Sequence, residues 1–140
     1  MTRRAGPDEI ASATNRAYNG GPQALKGCSM PQPIWIVLCN CPDADGAERL
    51  AQAALNSRLA ACVNLFAGVR ALYRWQGAIE QATECTLLFK TAADRYPALA
   101  SFLEREHPYE TPEIIAWPLA AGLKAYSAWV EAETREEHPA

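Results

Sequence analysis

The sequence predicts an α+β domain of the split β-α-β, ferredoxin-like type, with an extra C-terminal helix. Two observations support this fold class. Short apolar runs and segments with helical spacing follow one another in the order β-α-β-β-α-β-α. The two middle strands are long and joined by a tight turn, which is typical of a hairpin. The first six elements then make a four-stranded antiparallel sheet with two helices on one face.

Length and composition exclude several classes of protein. A chain of 140 residues fits one domain, and 49% hydrophobic with 21% charged residues is ordinary for a soluble globular protein. Thirteen basic and sixteen acidic residues give a net charge of −3, which offers no electrostatic support for nucleic-acid binding. No apolar run is long enough to cross a bilayer. Five irregularly spaced cysteines do not form a disulfide framework, so we expect a cytoplasmic protein.

The chain divides into a domain and two polar ends. Residues 1–32 lack an amphipathic period and collect glycines and prolines, which predicts a flexible N-terminal tail. The ferredoxin-like domain is expected at 33–134. Residues 135–140 are polar, and we expect them to fray.

The first strand and helix have clear local signals. Residues 34–39 are continuously apolar and rich in β-branched side chains, which is typical of a central strand covered on both faces. Asp43 is a good N-cap for a helix at about 44–59, where leucine and alanine recur at helical spacing.

The central hairpin is predicted from two alternating runs. Residues 62–75, interrupted at Gly68, are followed by a turn at Gln76-Gly77 and a return strand at 79–91. These strands are longer than a compact four-stranded sheet needs. They leave edge groups unpaired and expose aromatic side chains such as Tyr73 and Trp75, so we infer an oligomer.

The second half begins with Asp94, which we expect to cap a helix that ends at His107 because Pro108 follows. Residues 114–117 form a fourth strand that Pro118 ends. The last helix follows Gly122. In this arrangement we expect the first and fourth strands to lie beside the hairpin and not beside each other.

The segment 106–113 contains one histidine, three carboxylates and two prolines. The prolines keep the residues before them, His107 and Thr111, out of the α region, so the side chain of His107 is held in a defined place. A histidine beside carboxylates can hold a metal ion or a proton. Alternatively, the segment is only a helix end and a turn whose polar groups satisfy one another.

Several segments together resemble the CutA divalent-cation tolerance family over about 34–133. They are Ala61-Cys62-Val63-Asn64, Tyr73-Arg74-Trp75-Gln76-Gly77-Ala78-Ile79, Lys90-Thr91, His107 to Ile114 (HPYETPEI), and Tyr126-Ser127-Ala128-Trp129. The resemblance implies a ferredoxin-like subunit of a homotrimer, copper binding, a part in the response to metal ions, and no enzymatic reaction.

The resemblance also implies the ligands. It assigns copper to Cys39 and His107, and we expect Glu106 or Glu84 to assist. Glu106 stands where some family members carry a second histidine. The sequence leaves open whether the start of the fourth strand meets the end of the first within one chain. A cleft that gathers residues from two subunits would most easily reconcile the two positions.

Other cysteine assignments remain open. Cys39 can equally be a small buried hydrophobe, and we assign Cys62 and Cys85 to the core. Cys41, two residues after Cys39, shares its face if the strand persists, but Pro42 argues against that.

Two other functions are weighed against metal binding. One is a small-molecule-binding regulatory trimer with no metal role, by analogy with other ferredoxin-like subunits. The other is a Cys-His hydrolase, which needs Cys39 beside His107, a group that orients the imidazole, and an oxyanion site. No glycine-rich turn follows Cys39 to supply that site, so we rank the hydrolase last and predict no enzymatic activity.

Overall fold

The computed structural model describes residues 32–136. The predicted α+β class and the predicted order of elements are confirmed. The elements are β1 (Ile34–Cys41), α1 (Ala44–Asn56), β2 (Cys62–Trp75), β3 (Ala78–Ala92), a 3-10 turn (Ala93–Arg95), α2 (Tyr96–Glu106), β4 (Ile114–Pro118) and α3 (Lys124–Glu133). Nearly all of the predicted tail, 1–31, and residues 137–140 of the predicted frayed end lie outside the described residues.

The four strands form one antiparallel sheet in the order β2-β3-β1-β4. Our expectation that the first and fourth strands are not neighbours was wrong, because β1 pairs directly with β4 and Cys39 lies opposite Ile114. The physical reason is that β3 occupies only one edge of β1. The other edge carries unpaired backbone groups, and β4 satisfies them. The start of β4 therefore lies beside the end of β1.

The first strand is longer than expected and reaches Cys41, which lies opposite Cys85 in β3. Pro42 follows the last pair of the ladder and so removes no hydrogen bond from it. Cys39 and Cys41 consequently lie on the same face, and both are buried with the core residues beneath the helices.

The core lies between the sheet and the helices α1 and α2. Its largest fully buried side chains include Phe89 and Leu87 from β3 and Leu99 and Leu103 from α2. The alternation of buried and half-buried residues in the second half of β3 and the helical spacing in α2 each bring one apolar face to this layer.

Asp43 caps α1 as predicted, since its Oδ1 accepts a hydrogen bond from the Gly46 N–H at 2.7 Å. The helix ends at Asn56, earlier than expected. The predicted cap at Asp94 was wrong, because Arg95 is the N-cap residue and makes no side-chain capping bond. The chain enters α2 through the 3-10 turn, so no extended residue precedes the helix. The Asp94 carboxylate instead accepts two hydrogen bonds from Arg135, at 2.6 and 2.7 Å.

The hairpin turns at Gln76 and Gly77, whose φ angles of 48° and 81° suit a tight two-residue turn. Gly68 has a φ of 70° and lies where the register shifts between Phe66 and Val69, so the predicted interruption is a bulge within one strand. β1 pairs with β3 only from Cys85 onward, so the outer part of the hairpin has no third strand. Among the described residues, no helix combines the length and apolarity required to span a membrane.

The capping bond of α1 generates a stability prediction. Asp43→Ala should lower the free energy of unfolding by about 1 kcal/mol, because the Gly46 N–H loses its acceptor. Asp43→Asn should retain most of the stability, since its side-chain oxygen can accept the same bond. Urea denaturation of the three proteins measures the difference. Equal losses in both variants would show that the carboxylate charge matters and the capping bond does not.

Candidate metal centre

Cys39, Cys41 and His107 form a buried cluster in which one ligand atom from each residue lies within 4.8 Å of the others. The two cysteines come from the end of β1, and the histidine follows α2. All three belong to one chain, so Cys39 and His107 meet without residues from a second subunit. The pairing of β1 with β4 is the reason, because it brings the connection that enters β4 across the end of β1.

The imidazole of His107 is fixed by backbone groups on both sides of the ring. His107 is extended, with φ −74° and ψ 140°, as expected for a residue before proline. Its Nε2 lies 2.7 Å from the carbonyl oxygen of Asn40, and its Nδ1 accepts the Tyr109 N–H at 3.0 Å. These partners assign the neutral ring a proton on Nε2, which donates to Asn40.

The two thiols of the cluster have opposite acidities. The pKa of Cys41 is lowered to about 6, chiefly because the Cys39 thiol donates a hydrogen bond to its sulfur, and further by His107. Its Sγ lies 3.9 Å from Nε2 of His107. The pKa of Cys39 is raised, first by the same hydrogen bond and then by burial. At neutral pH the cluster therefore contains one thiolate, Cys41, and one thiol, Cys39.

The pKa of His107 is the result of opposing effects. Burial lowers it, but the hydrogen bonds to Cys41 and to the Asn40 carbonyl oxygen, with the negative charges of Cys41 and Glu84, raise it above its ordinary value. The Tyr109 N–H acts the other way, because it donates to Nδ1 only while that nitrogen carries no proton.

Glu84 lies near the cluster but is not among its ligand atoms. Glu84 is only 9% exposed, and its side chain makes no hydrogen bond within residues 32–136. Burial raises the pKa of its carboxyl group, as do the charges of Glu113 and Cys41, while His107 lowers it. Glu113 is held next to β1 by the Asn40 side chain, whose Nδ2 donates to Oε2 at 2.6 Å.

Glu106, the other predicted assisting carboxylate, is exposed and lies outside the cluster. Its Oε1 pairs with Nε of Arg105 at 3.2 Å. Cys85 is buried as predicted and also lies outside the cluster. Cys62 is only half-buried, and its sulfur lies 3.9 Å from Nζ of Lys90, so its assignment to the core was wrong. Cys62 lies opposite Lys90, on the face of the sheet away from the core that the next pair, Val63 and Phe89, contacts.

Cys41 is the residue of the cluster that the sequence analysis left out. The spacing of two residues from Cys39 would place Cys41 on the same face of the strand. That inference required β1 to continue as far as Cys41, and Pro42 argued against such a continuation. Two sulfur ligands and one imidazole nitrogen suit Cu(I), and they also suit zinc if a fourth ligand joins them. A metal ion on Nε2 would replace the Asn40 hydrogen bond and displace the protons of Cys39 and His107.

The thiolate of Cys41 gives a direct test in metal-free protein. Ultraviolet thiolate absorbance should rise with a midpoint near pH 6, far below the ordinary thiol pKa of 9.0. The thiol form prevails below the midpoint and the thiolate above it. Cys39→Ala should move the midpoint upward, because the donor to the thiolate is lost, and Cys41→Ser should remove the transition.

Cys85→Ser is the matched control, since it removes a buried thiol beside Cys41 whose pKa is raised. It should leave the low-pH transition unchanged. A transition that persists in Cys41→Ser would assign the thiolate to another cysteine.

Comparisons with known proteins agree on one family. The profile described as CutA1 divalent ion tolerance protein matches residues 35–133. The divalent-cation tolerance protein CutA of Pectobacterium atrosepticum is 42% identical over 100 residues, which cover 71% of this chain and 91% of that protein. Among solved structures, CutA of Xylella fastidiosa is 38% identical with a TM-score of 0.72, covering 74% of this chain and 99% of that one.

A more distant structure shows the same fold. CutA1 of Oryza sativa is 33% identical with a TM-score of 0.74, and the match covers 78% of this chain and all of that one (100%). The family profile covers the sheet except for Ile34, the three helices and the Cys39-Cys41-His107 cluster. The chain therefore belongs to the CutA1 divalent ion tolerance family.

Proposed function

We propose that the protein binds copper at Cys39, Cys41 and His107 and takes part in the response to metal ions. The observation that carries this proposal is the convergence of two sulfurs and one imidazole nitrogen within 4.8 Å in a buried place. The names of the family and of its relatives, which refer to tolerance of divalent ions, support a role that involves metals.

The chemistry of the donors favours Cu(I). Sulfur ligands are soft and stabilise Cu(I), whereas the imidazole is compatible with both oxidation states. Cys41 is the first ligand to bind because it is already a thiolate. Cys39 and His107 then exchange their protons for the metal ion. Glu84 lies close enough to the cluster to balance part of the metal charge, which is most useful to Cu(II).

We also propose that the active form is a homotrimer of ferredoxin-like subunits. The outer hairpin carries large apolar side chains that the described chain leaves open to solvent, with Leu72 64% and Ile79 63% exposed. Trp75 at its tip is 37% exposed, and Trp117 in β4 is 42% exposed. Several large exposed apolar side chains on a hairpin that lacks a third strand indicate an interface with other chains.

We assign the protein no enzymatic reaction and place it in the cytoplasm. The Cys41 thiolate and His107 are both buried, which keeps the thiolate away from a large substrate. The described cysteines are all unpaired, as in a reducing compartment. A relative from Archaeoglobus fulgidus, 32% identical, is described as periplasmic. Fractionation of cells that produce the full-length chain tests the cytoplasmic location.

Copper titration tests the site. Wild type should bind one Cu(I) per chain in competition with a chromophoric chelator. Cys39→Ala, Cys41→Ala and His107→Ala should each weaken binding by at least about tenfold. Binding should also weaken as the pH falls, because protons compete for His107 from above its ordinary pKa of 6.5 and for Cys41 near pH 6.

Cys85→Ala is the matched control for this titration, because Cys85 is buried opposite Cys41 but has no place in the cluster. It should bind copper like wild type. If the three ligand variants also bind like wild type, the cluster is structural and copper binds elsewhere or not at all.

Light scattering tests the assembly. Wild type should have the mass of three chains at micromolar concentration, and Trp75→Ala should dissociate at higher concentration because a large aromatic anchor is lost. Leu55→Ala serves as the control, since Leu55 is similarly exposed, at 38%, but lies on α1. A monomeric wild type would overturn the trimer.

A further inference from the structure

A cleft between α1 and α2 reaches the buried cluster from the helix side. It has a volume of about 380 Å³, which suits a ligand of amino-acid size, and Cys41 is part of its wall. The other lining residues are Pro42, Asp43, Gly46, Arg49, Leu50, Ala53, Phe102, Glu106 and Pro108. Cys41 is therefore the member of the cluster that this cleft meets.

Charged groups of both signs line the cleft. Arg49 makes no ion pair with any residue in the described part of the chain, so its guanidinium is free to bind an anion. Asp43 and Glu106 supply two carboxylates, each with one oxygen already engaged, by the Gly46 N–H and by Arg105 respectively. The other oxygen of each carboxylate can accept a hydrogen bond from an ammonium group. Apolar side chains, such as Phe102, form the rest of the wall.

We propose that this cleft binds a small zwitterionic thiol, of which free cysteine is the simplest, as the carrier that delivers Cu(I) to Cys41. The inference rests on the copper site proposed above. Arg49 binds the carboxylate of the carrier, and Glu106 and Asp43 bind its ammonium group. Bound in this way, the carrier directs its sulfur to the sulfur of Cys41, which also lines the cleft.

Delivery is a ligand exchange without oxidation or reduction. A bond forms between Cu(I) and Sγ of Cys41 while the bond between Cu(I) and the carrier sulfur breaks. The carrier leaves as a thiolate and takes the proton that Cys39 releases when its own sulfur binds the metal. His107 then supplies the third ligand through Nε2, after the ring proton moves from Nε2 to Nδ1 and the Tyr109 N–H loses its acceptor.

Transfer kinetics test the proposal. Cu(I) is supplied to the full chain by cysteine, by cysteamine, which lacks the carboxylate, or by 2-mercaptoethanol, which lacks both charges. Wild type should accept Cu(I) from cysteine about tenfold faster than from either of the others, because charge-assisted hydrogen bonds hold only the zwitterion. Arg49→Gln should lose this preference while its equilibrium Cu(I) affinity stays unchanged.

Glu48→Gln is the matched control, because Glu48 is an exposed charge on the same helix that does not line the cleft. It should keep the preference for cysteine. A second measurement needs no metal: calorimetry should detect cysteine binding to the metal-free protein, and Arg49→Gln should abolish it.

The outcomes separate the two proposals. Equal transfer rates from all three carriers, with normal Cu(I) affinity and no binding of metal-free cysteine, would overturn the carrier site and leave the copper site standing. Absence of Cu(I) binding in wild type would overturn the copper site. Delivery of copper by the carrier falls with it, even if calorimetry still shows cysteine in the cleft.

Discussion

The pairing of β1 with β4 is the constraint on which the rest of this structure depends. It fills the edge of β1 that β3 leaves open, and it sets Cys39 opposite the first residue of β4. The connection from α2 must then cross the end of β1. Because His107 lies in that connection, its ring meets the Asn40 carbonyl oxygen and the Cys41 sulfur without any contribution from a second chain.

Asn40 connects the sheet to the cluster through both its backbone and its side chain. Its carbonyl oxygen holds His107, while its side chain accepts from Thr86 and donates to Glu113, each at 2.6 Å. The histidine is therefore oriented before any metal arrives, which limits the conformational entropy that binding must offset. The same hydrogen bonds oppose the metal, because Nε2 must give up its backbone partner. In the proposed site, the hydrogen bond to Asn40 orients the imidazole and also competes with the metal ion for Nε2.

Membership of the CutA1 family and the geometry of the chain address different questions. The family profile spans the domain and associates it with tolerance of divalent ions. The two buried sulfurs and the imidazole indicate which metal ions would suit the proposed site. The exposed outer hairpin supports the proposed assembly, because an isolated chain would leave large apolar side chains of the hairpin in water.

The amino-acid sequence by itself determined the features that depend on a few neighbouring residues. Among them are the order of the elements, the cap at Asp43, the turn at Gln76-Gly77 and the extended backbone of His107 before proline. Capping, turn geometry and proline sterics act within a few residues, so local patterns predict them.

Only the tertiary structure decided which side chains meet. Cys41 and His107 are 66 residues apart, and their contact depends on the order of strands in the sheet. Glu106 is adjacent to His107 in sequence but lies outside the cluster, because it is the exposed last residue of α2 and pairs with Arg105. Asp94 looked like a helix cap but pairs with Arg135, which is 41 residues away. Such contacts depend on how the elements pack, and the residues next to each partner do not encode that packing.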